Sequence, residues 1–195
     1  RWAYLETSAE VSRAVTSILE RDRLIQDTVN LIQERFGLYY VGLFVVEGDW
    51  AVLRAGTGEA GREMLAEEHR LRIAGESMIG QCIQDAEARI ALDVGDEAVR
   101  FDNPHLPRTR SEGALPLRSR SQVIGALSIQ STAPNAFDRD TVTLLQTMAD
   151  QVAVALDNAR LFAETQASLE AERRAYGELS REAWAEILKS RSEWG

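Results

Sequence analysis

The stretch ALPLRSRSQVIGALSIQS, residues 114–131, decides the fold. Two apolar runs flank the short basic segment 118–121, which predicts a β-hairpin. With its midpoint at residue 120, one face gathers Leu115, Leu117, Val123, Leu127 and Ile129, and the other gathers Arg110, Glu112, Ala114, Ala126, Ser128 and Gln130, with Ile124 near the tip. A one-residue slip would mix large apolar and polar groups on one face. The hairpin therefore predicts a sheet with one bulky apolar face and one small, partly polar face.

Helices and strands are predicted on both sides of this hairpin. Residues 5–36 carry an apolar stripe at helical spacing, interrupted at Asp22, which we interpret as a cap between two helices, and ended by Gly37. Strands are predicted at 39–47, 50–55, 71–73 and 89–94, and shorter helices at 62–69 and 77–87. Residues 95–109 read as an irregular loop, and Asp138 caps a helix that extends to about residue 191.

Composition limits the class of function. The chain has 195 residues, enough for one domain with helical extensions, and its net charge is −9. That charge disfavours general nucleic-acid binding and docking on anionic lipid. There is no run of 18 apolar residues, so no direct membrane insertion is expected. The single cysteine, Cys82, is expected to be a buried structural thiol in a reducing compartment, which favours a cytoplasmic location.

Five motifs in order carry a family resemblance: residues 75–80 (GESMIG), 109–117 (TRSEGALPL), 123–127 (VIGAL), Phe137-Asp138 and the helix 144–161. Over residues 20–162 the chain resembles the GAF domain, a ligand-sensing and signalling module. The resemblance implies an α+β, GAF/PAS-like fold. In it, an antiparallel five- or six-stranded sheet carries the N- and C-terminal helices on one face and a pocket of loops and short helices on the other. Expected domains are a signalling helix (1–21), the GAF domain (22–162) and a coiled-coil or linker helix (163–195).

The resemblance also sets the expected function, which is sensing of a small molecule without enzymatic activity. Such domains commonly sit beside other signalling domains in bacterial sensor kinases of two-component systems, and these are the expected neighbours. Predicted ligand-binding residues lie in the 95–109 loop and on the polar hairpin face: Phe101, Asn103, His105, Arg110, Glu112, Ser128 and Gln130. A small polar ligand is expected there. The alternative is that the hairpin residues are ordinary sheet-edge positions and that the module is a ligand-free dimerisation and signal-relay spacer.

Several chemistries of the resembling family are not expected here. One cysteine does not support the nucleophile-and-resolver cycle of a free methionine sulfoxide reductase. Residues 102–107 hold no cysteine for covalent pigment attachment, and Ser131 and Thr132 replace the Asn and Lys of cyclic-nucleotide binders. His69 and His105 lie far apart in the chain with no cysteine near either. We therefore expect no cofactor, no metal and no catalytic residue.

The terminal helices predict self-association. Beyond the domain, Phe162, Leu169, Tyr176 and Ala183 recur at spacings of seven, a thin coiled-coil seam. A solvated tail is the alternative. Because so long a helix has no other evident place to bury its apolar stripe, a homodimer through the terminal helices is expected.

Overall fold

A computed structural model describes the backbone of residues 21–93 and 103–192 and the side chains of 21–93 and 103–181. Residues 1–20 of the predicted signalling helix, residues 95–102 of the predicted loop and the last three residues lie outside the described residues. In chain order the elements are α1 (21–36), β1 (Tyr40–Glu47), β2 (Trp50–Gly56), α2 (Gly58–Ala66), β3 (Arg70–Arg72), α3 (Met78–Asp85), β4 (Arg89–Ala91), β5 (Ser111–Ser119), β6 (Gln122–Ser131) and α4 (Arg139–Ser192).

The strands form one six-stranded antiparallel sheet in the order β3-β2-β1-β6-β5-β4. The long, well-buried strands β1 and β6 lie at its centre, and the three-residue strands β3 and β4 lie at its edges. Short edge strands limit the number of unpaired backbone groups offered to another sheet. This arrangement confirms the predicted α+β class and the antiparallel sheet.

The hairpin confirms both faces but corrects the predicted register. Leu115 pairs with Leu127, and Leu117 pairs with Gly125 rather than with Val123. An irregularity after Leu117 shifts the pairing, so that Arg118 faces Val123. Val123 and Ile124 therefore exchange faces relative to the prediction: Val123 packs with the residues of the small-residue face, and Ile124 packs against the bulky core.

Turn geometry explains this shift. Arg120 and Ser121 form the two-residue tip and have φ angles of 49° and 73°. Two consecutive positive φ values are the signature of a type I′ turn, whose twist matches that of the flanking strands. The extra residue is accommodated by a bulge beside the turn. Sequence alternation alone does not reveal a bulge.

Helices α1 and α4 cover the bulky face. Ile25, Val29 and Ile32 of α1 are buried at helical spacing, as are Leu145, Ala149, Ala153 and Leu156 of α4. Gly37 ends α1 with a φ of +61°, as predicted. Asp22, however, lies inside the helix and is not a cap, because the described helix already includes residue 21.

Polar contacts also tie α4 to the end of the hairpin. The Arg118 guanidinium donates to both carboxylate oxygens of Asp150, at 3.0 and 2.7 Å. The buried Asp157 carboxylate accepts from the Ser119 hydroxyl at 2.9 Å. At the start of α4 the Asp138 carboxylate accepts from the Thr141 N–H at 2.8 Å, and this bond holds the pKa of Asp138 below its usual value. The predicted cap is confirmed, and the hairpin tip is fixed to α4.

Helices α2 and α3 lie on the opposite face, together with residues 103–110. Helix α2 begins at Gly58, four residues before the predicted start, because its first turn packs Gly61 directly on the backbone of Gly56. Helix α3 begins after Ser77, whose hydroxyl accepts from the Gly80 N–H at 2.9 Å, as a capping serine does. Strand β4 is shorter than predicted.

The chain divides into two compact units, one ending at Asp157 and one running from Asn158. In the second unit the helix exposes Phe162, Leu169 and Tyr176, by 67%, 46% and 75%. The predicted coiled-coil role of this segment and the domain boundaries stay predictions. No helix among the described residues combines the length and apolar character needed to cross a membrane.

Candidate ligand-binding site

A cavity of about 430 Å³ lies on the sheet face opposite α1 and α4. Its floor is formed by β1, β5 and β6, its walls by α2, α3 and β3, and its cover by residues 103–110. A volume in this range is typical of small-molecule sites. The lining side chains are Tyr40, Phe44, Met64, Glu67, His69, Leu71, Ser77, Met78, Ile79, Asn103, Pro104, His105, Leu106, Pro107, Arg108, Thr109, Arg110, Glu112, Ser128 and Gln130.

Strand register arranges the floor in three cross-strand rows. Residues directly opposite each other in neighbouring strands point to the same face of a sheet. The first row is polar and contains Tyr40, Gln130 and Glu112; the second is small and contains Gly42, Ser128 and Ala114; the third is apolar and contains Phe44, Ala126 and Pro116. The floor therefore changes from polar to apolar along the strands.

The polar row has a neutral centre and an acidic side. Gln130 is buried, and its side-chain oxygen accepts from the Thr109 hydroxyl at 2.5 Å. The half-buried Glu112 forms no hydrogen bond or ion pair within the described part of the chain, and burial raises the pKa of its carboxyl. Such a carboxylate is an acceptor without a donor.

Tyr40 supplies a second polar group without a partner in the row. The residue is 2% exposed, and nothing in residues 21–93 or 103–181 hydrogen-bonds its hydroxyl. Burial raises the pKa of this phenol, so that it remains neutral. Buried hydroxyls are nearly always hydrogen-bonded, which marks Tyr40 as a functional candidate.

His105 fastens the cover of the cavity to α2. Its Nδ1 lies 3.0 Å from a Glu63 carboxylate oxygen and its Nε2 lies 3.1 Å from one of Glu67. Glu63 lies in α2 and Glu67 is the C-cap residue that follows the helix, four positions further along the chain. Because both ring nitrogens face acceptors, the doubly protonated ring fits best, and the hydrogen bond to Glu63 is the main reason that the pKa of His105 is raised.

The other loop contacts complete this cover. The Asn103 amide donates to the Met64 sulfur at 3.4 Å and its oxygen accepts from the His105 N–H at 3.0 Å. At the rim, the Arg108 guanidinium stacks 4.9 Å from the centre of the Tyr39 ring. Arg110 donates to both oxygens of Asp93, at 3.1 and 2.7 Å. The two rim guanidiniums are thus held by protein groups.

The inner end of the cavity is apolar. Phe44, Met64 and Ile79 are buried there, with Leu106 from the loop. The His69 ring stands edge-on to Phe44, with centroids 6.1 Å apart, and burial is the largest reason that its pKa is lowered. This end suits a hydrocarbon or aromatic surface.

Six of the seven predicted ligand-binding residues line this one cavity: Asn103, His105, Arg110, Glu112, Ser128 and Gln130. Phe101 lies outside the described residues. Their role in binding stays a prediction, and for Arg110 the bidentate bond to Asp93 agrees with the alternative of a sheet-edge residue.

The sequence interpretation missed the lining residues of β1, α2 and α3. Tyr40 and Phe44 share the alternation of β1 and could have been placed once β1 was paired with β6. Strand alternation could not have revealed the other lining residues, because their positions depend on how α2 and α3 pack on the sheet. These residues include Met64, His69 and Ile79.

Metal binding and thiol reactivity depend on the His, Cys, Asp and Glu side chains of the described residues. Within residues 21–93 and 103–181, no group of three or more His, Cys, Asp or Glu side chains could hold a metal ion. Cys82 is fully buried in α3, which confirms the expected structural position, and burial raises its pKa to about 12. The thiol is therefore protonated at neutral pH.

The sequence matches the family described as the GAF domain over residues 19–157, well over half of the chain. The chain belongs to the GAF domain family. Members of this family are generally ligand-sensing and signalling modules. This confirms the family predicted from the five motifs, whereas the bacterial sensor-kinase context stays a prediction.

Solved structures agree on the GAF fold. The GAF domain from a Coxiella burnetii phosphoenolpyruvate-protein phosphotransferase matches with a TM-score of 0.64 and 19% identity, covering 80% of this chain and 96% of that chain. The GAF domain region of a putative membrane protein from Geobacter sulfurreducens matches with a TM-score of 0.62 and 18% identity, covering 72% and 95%. At such identities the likeness shows the fold alone.

One similar structure corrects a prediction. The type II free methionine-R-sulfoxide reductase from Thermoplasma acidophilum has a TM-score of 0.60 and 20% identity to this GAF domain, covering 71% of this chain and 92% of that chain. An enzyme therefore shares the fold, and the prediction that the chain is not an enzyme is wrong. The prediction was drawn from the family resemblance, the single cysteine and the two distant histidines, none of which decides whether a domain of this fold is catalytic.

Proposed function

We propose that this GAF domain senses a small molecule in the cavity and relays its presence through α4 to neighbouring signalling domains. The observation that supports this most is the cavity of about 430 Å³, covered by a loop that one histidine fastens to α2. A ligand that contacts both the floor and residues 103–110 would favour the closed loop. A ligand shifts such an equilibrium only by its difference in affinity for the two states.

The route of the relay is short. Residues 103–110 lead directly into β5, whose far end is bound to α4 through Arg118 and Asp150 and through Ser119 and Asp157. The Gln146 amide of α4 also donates to the Pro116 carbonyl of β5, at 2.9 Å. A displacement of β5 would therefore be passed to α4 without an intervening element.

A thermal-shift screen of metabolites tests the sensing function, because a molecule that binds only the folded state raises its melting temperature. Any hit is repeated on Ser128→Leu, which places a larger side chain on the cavity floor, and on Ser168→Leu, the same change at an exposed helical position. We expect the shift to disappear in the first variant and remain in the second. A shift that survives Ser128→Leu would place the ligand elsewhere and contradict the proposal.

Hydrogen exchange tests the relay. A hit from the screen should protect residues 101–110 and produce a smaller change along residues 140–161. In Asp150→Asn, which weakens the bond to Arg118, the loop protection should remain while the change in α4 becomes smaller. If the hit protects the loop of the wild type and leaves α4 unchanged, the domain binds without relaying through this helix.

We also propose that the chain forms a homodimer through its terminal helices. Within the first unit, Leu24 and Leu31 of α1 are 54% and 48% exposed and lie seven residues apart, and Leu144 and Val154 of α4 are 54% and 48% exposed. Together with the thin seam of the second unit, this is an unusual amount of apolar side chain on helices. The same observation favours the second candidate function, a ligand-free dimerisation spacer.

Light scattering at micromolar concentration tests the dimer. The wild type should have twice the chain mass of 21.7 kDa. Leu24→Glu with Leu31→Glu should yield monomers, whereas Leu92→Glu, at a position 49% exposed beyond β4, should remain dimeric. A monomeric wild type would contradict this part of the proposal, and a dimer that no metabolite stabilises would favour the spacer.

A further inference from the structure

The cavity contains two polar side chains that its own protein environment leaves without partners. The Glu112 carboxylate and the Tyr40 hydroxyl have no hydrogen-bond partner among the described side chains. Tyr40 lies on β1 and Glu112 on β5, with β6 between them, and the Tyr40 hydroxyl is closed off, whereas the half-buried Glu112 lines the cavity. The carboxylate is an acceptor at a fixed position of the sheet and therefore specifies a donor on the ligand.

We propose that the ligand is a small amphipathic amine, with a compact apolar body and a protonated nitrogen that donates hydrogen bonds to Glu112. This inference rests on the proposed sensing function and adds its ligand class. The apolar body lies toward Phe44, Met64 and Ile79, and the nitrogen lies at the polar row beneath residues 103–110.

Charge favours a cation over an anion. An ionised carboxylate only accepts hydrogen bonds, and a half-buried one without a partner is costly, so a cationic donor relieves that cost. The cations that would attract an anion are engaged elsewhere: Arg108 stacks on Tyr39 and Arg110 binds Asp93. An anion would also approach Glu112 against its charge.

The Tyr40 hydroxyl takes no part in this binding. A Cβ on Gly42 would meet its oxygen at 2.5 Å and one on Gly56 at 2.9 Å, so the hydroxyl lies over β1 and β2, on the side away from Glu112. The oxygen is also closed off from small molecules in the cavity. The ammonium group is therefore bound by Glu112 at the polar row.

The experiment uses three matched probes with one ring and a short chain: phenethylamine, 2-phenylethanol and 3-phenylpropionate. Calorimetry on the full chain is run at about pH 8, because alkaline solution favours ionisation of a carboxyl whose pKa is raised by burial. We expect the amine to bind at least about tenfold more tightly than the carboxylate, because the ammonium group forms a charge-assisted hydrogen bond with Glu112 whereas the ligand carboxylate is repelled by it. The alcohol should lie between the two.

Two variants test whether the charge of Glu112 binds the amine. Glu112→Gln keeps the shape and removes the charge, and should weaken the amine by at least about tenfold while leaving the alcohol nearly unchanged. Glu34→Gln is the same substitution at an exposed position of α1, on the other face of the sheet, and should have no effect. The unliganded Glu112→Gln protein should melt at or above the wild-type temperature, which shows that it is folded.

Three outcomes overturn the inference: equal amine affinity in wild type and Glu112→Gln, tighter binding of the carboxylate than of the amine, or no binding of any probe. The sensing function is judged separately, by the metabolite screen with the Ser128→Leu control. A metabolite that binds in the cavity independently of Glu112 refutes the amine class and leaves the sensing function standing. If no metabolite and no probe binds, both fail.

Discussion

The two faces of the central hairpin are built from the same strands and have opposite contents. On one face, Leu115, Leu117, Leu127 and Ile129 are all 0% exposed and pack against α1 and α4. On the other, small and polar residues lie under a cavity of about 430 Å³. Neighbouring residues of β6 such as Leu127 and Ser128 therefore have entirely different environments.

Side-chain volume accounts for this difference. Branched aliphatic groups on the first face fill the space between sheet and helices at the density of a protein interior. Alanine, serine and glycine on the second face do not reach the helices above them, and the remaining space is lined by groups with hydrogen-bonding capacity. The first face is therefore a filled core, and the second face has room for a site.

Substitution by lysine should give the largest contrast between a core position and a tip position. Leu127→Lys buries an unpaired charge at a fully enclosed position and should destabilise the fold by more than about 4 kcal/mol. Ile124 also packs on the core face, but it is partly exposed near the tip, so that its lysine reaches water and costs about 1–2 kcal/mol. Denaturant unfolding compares the two variants, and equal midpoints would contradict the difference in enclosure between the two positions.

A glycine-to-alanine pair tests how closely α2 is seated over the site. A Cβ on Gly61 would overlap the backbone of Gly56, so Gly61→Ala should destabilise the fold by about 1–3 kcal/mol. Gly177, inside α4, has only the end of the Arg181 side chain near its Cβ position, and Gly177→Ala should strengthen the helix by about 0.5–1 kcal/mol. Thermal melts followed by circular dichroism measure the change in stability of each variant. A Gly61→Ala protein as stable as the wild type would contradict the close contact.

A serine-to-glycine pair tests the corrected register at the hairpin tip. Ser121 has a φ of +73°, so Ser121→Gly removes strain and should stabilise the fold by about 0.5 kcal/mol. Ser119→Gly removes the hydroxyl that donates to the buried Asp157 and should cost about 1–3 kcal/mol. The unfolding midpoints of the two variants measure both effects. If both variants are destabilised, the tip does not have the type I′ geometry.

The smallest effect concerns the cover of the open face and depends on pH. Because the pKa of His105 is raised in the folded protein, its contribution is complete below the unfolded value of about 6.5 and is lost as the pH rises through the folded value. His69 acts oppositely, since its pKa is lowered and its contribution is lost as the pH falls. Subtracting the profile of His105→Gln from that of the wild type isolates the first residue.

Hydrogen exchange of residues 103–110, corrected for the intrinsic rate at each pH, measures this local effect. Protection by His105 should be largest in mildly acidic solution and smaller in alkaline solution, where the neutral ring bonds only one of Glu63 and Glu67. His69→Gln is the control and should leave this dependence in place. A difference between wild type and His105→Gln that is constant with pH would contradict the histidine clasp.

Much of the fold was already predictable from the order of amino acids. Alternation along β5 and β6 separated Leu115 and Leu127 from Ala114 and Ser128, because the two-residue period of a strand is local. Gly37, Ser77 and Asp138 marked helix ends through capping chemistry that involves only neighbouring residues. The same local alternation placed Glu112, Ser128 and Gln130 together on one face before any packing was known.

Only the tertiary structure decided which distant segments meet over that face. His105 reaches Glu63 and Glu67 across about forty residues of sequence, and Tyr40 joins the row of Glu112 because β1 pairs with β6. The bulge that exchanges Val123 and Ile124 likewise depends on the twist of the assembled hairpin. Sequence periodicity fixes the face of each residue within its own element, whereas the packing of whole elements fixes which faces enclose a cavity.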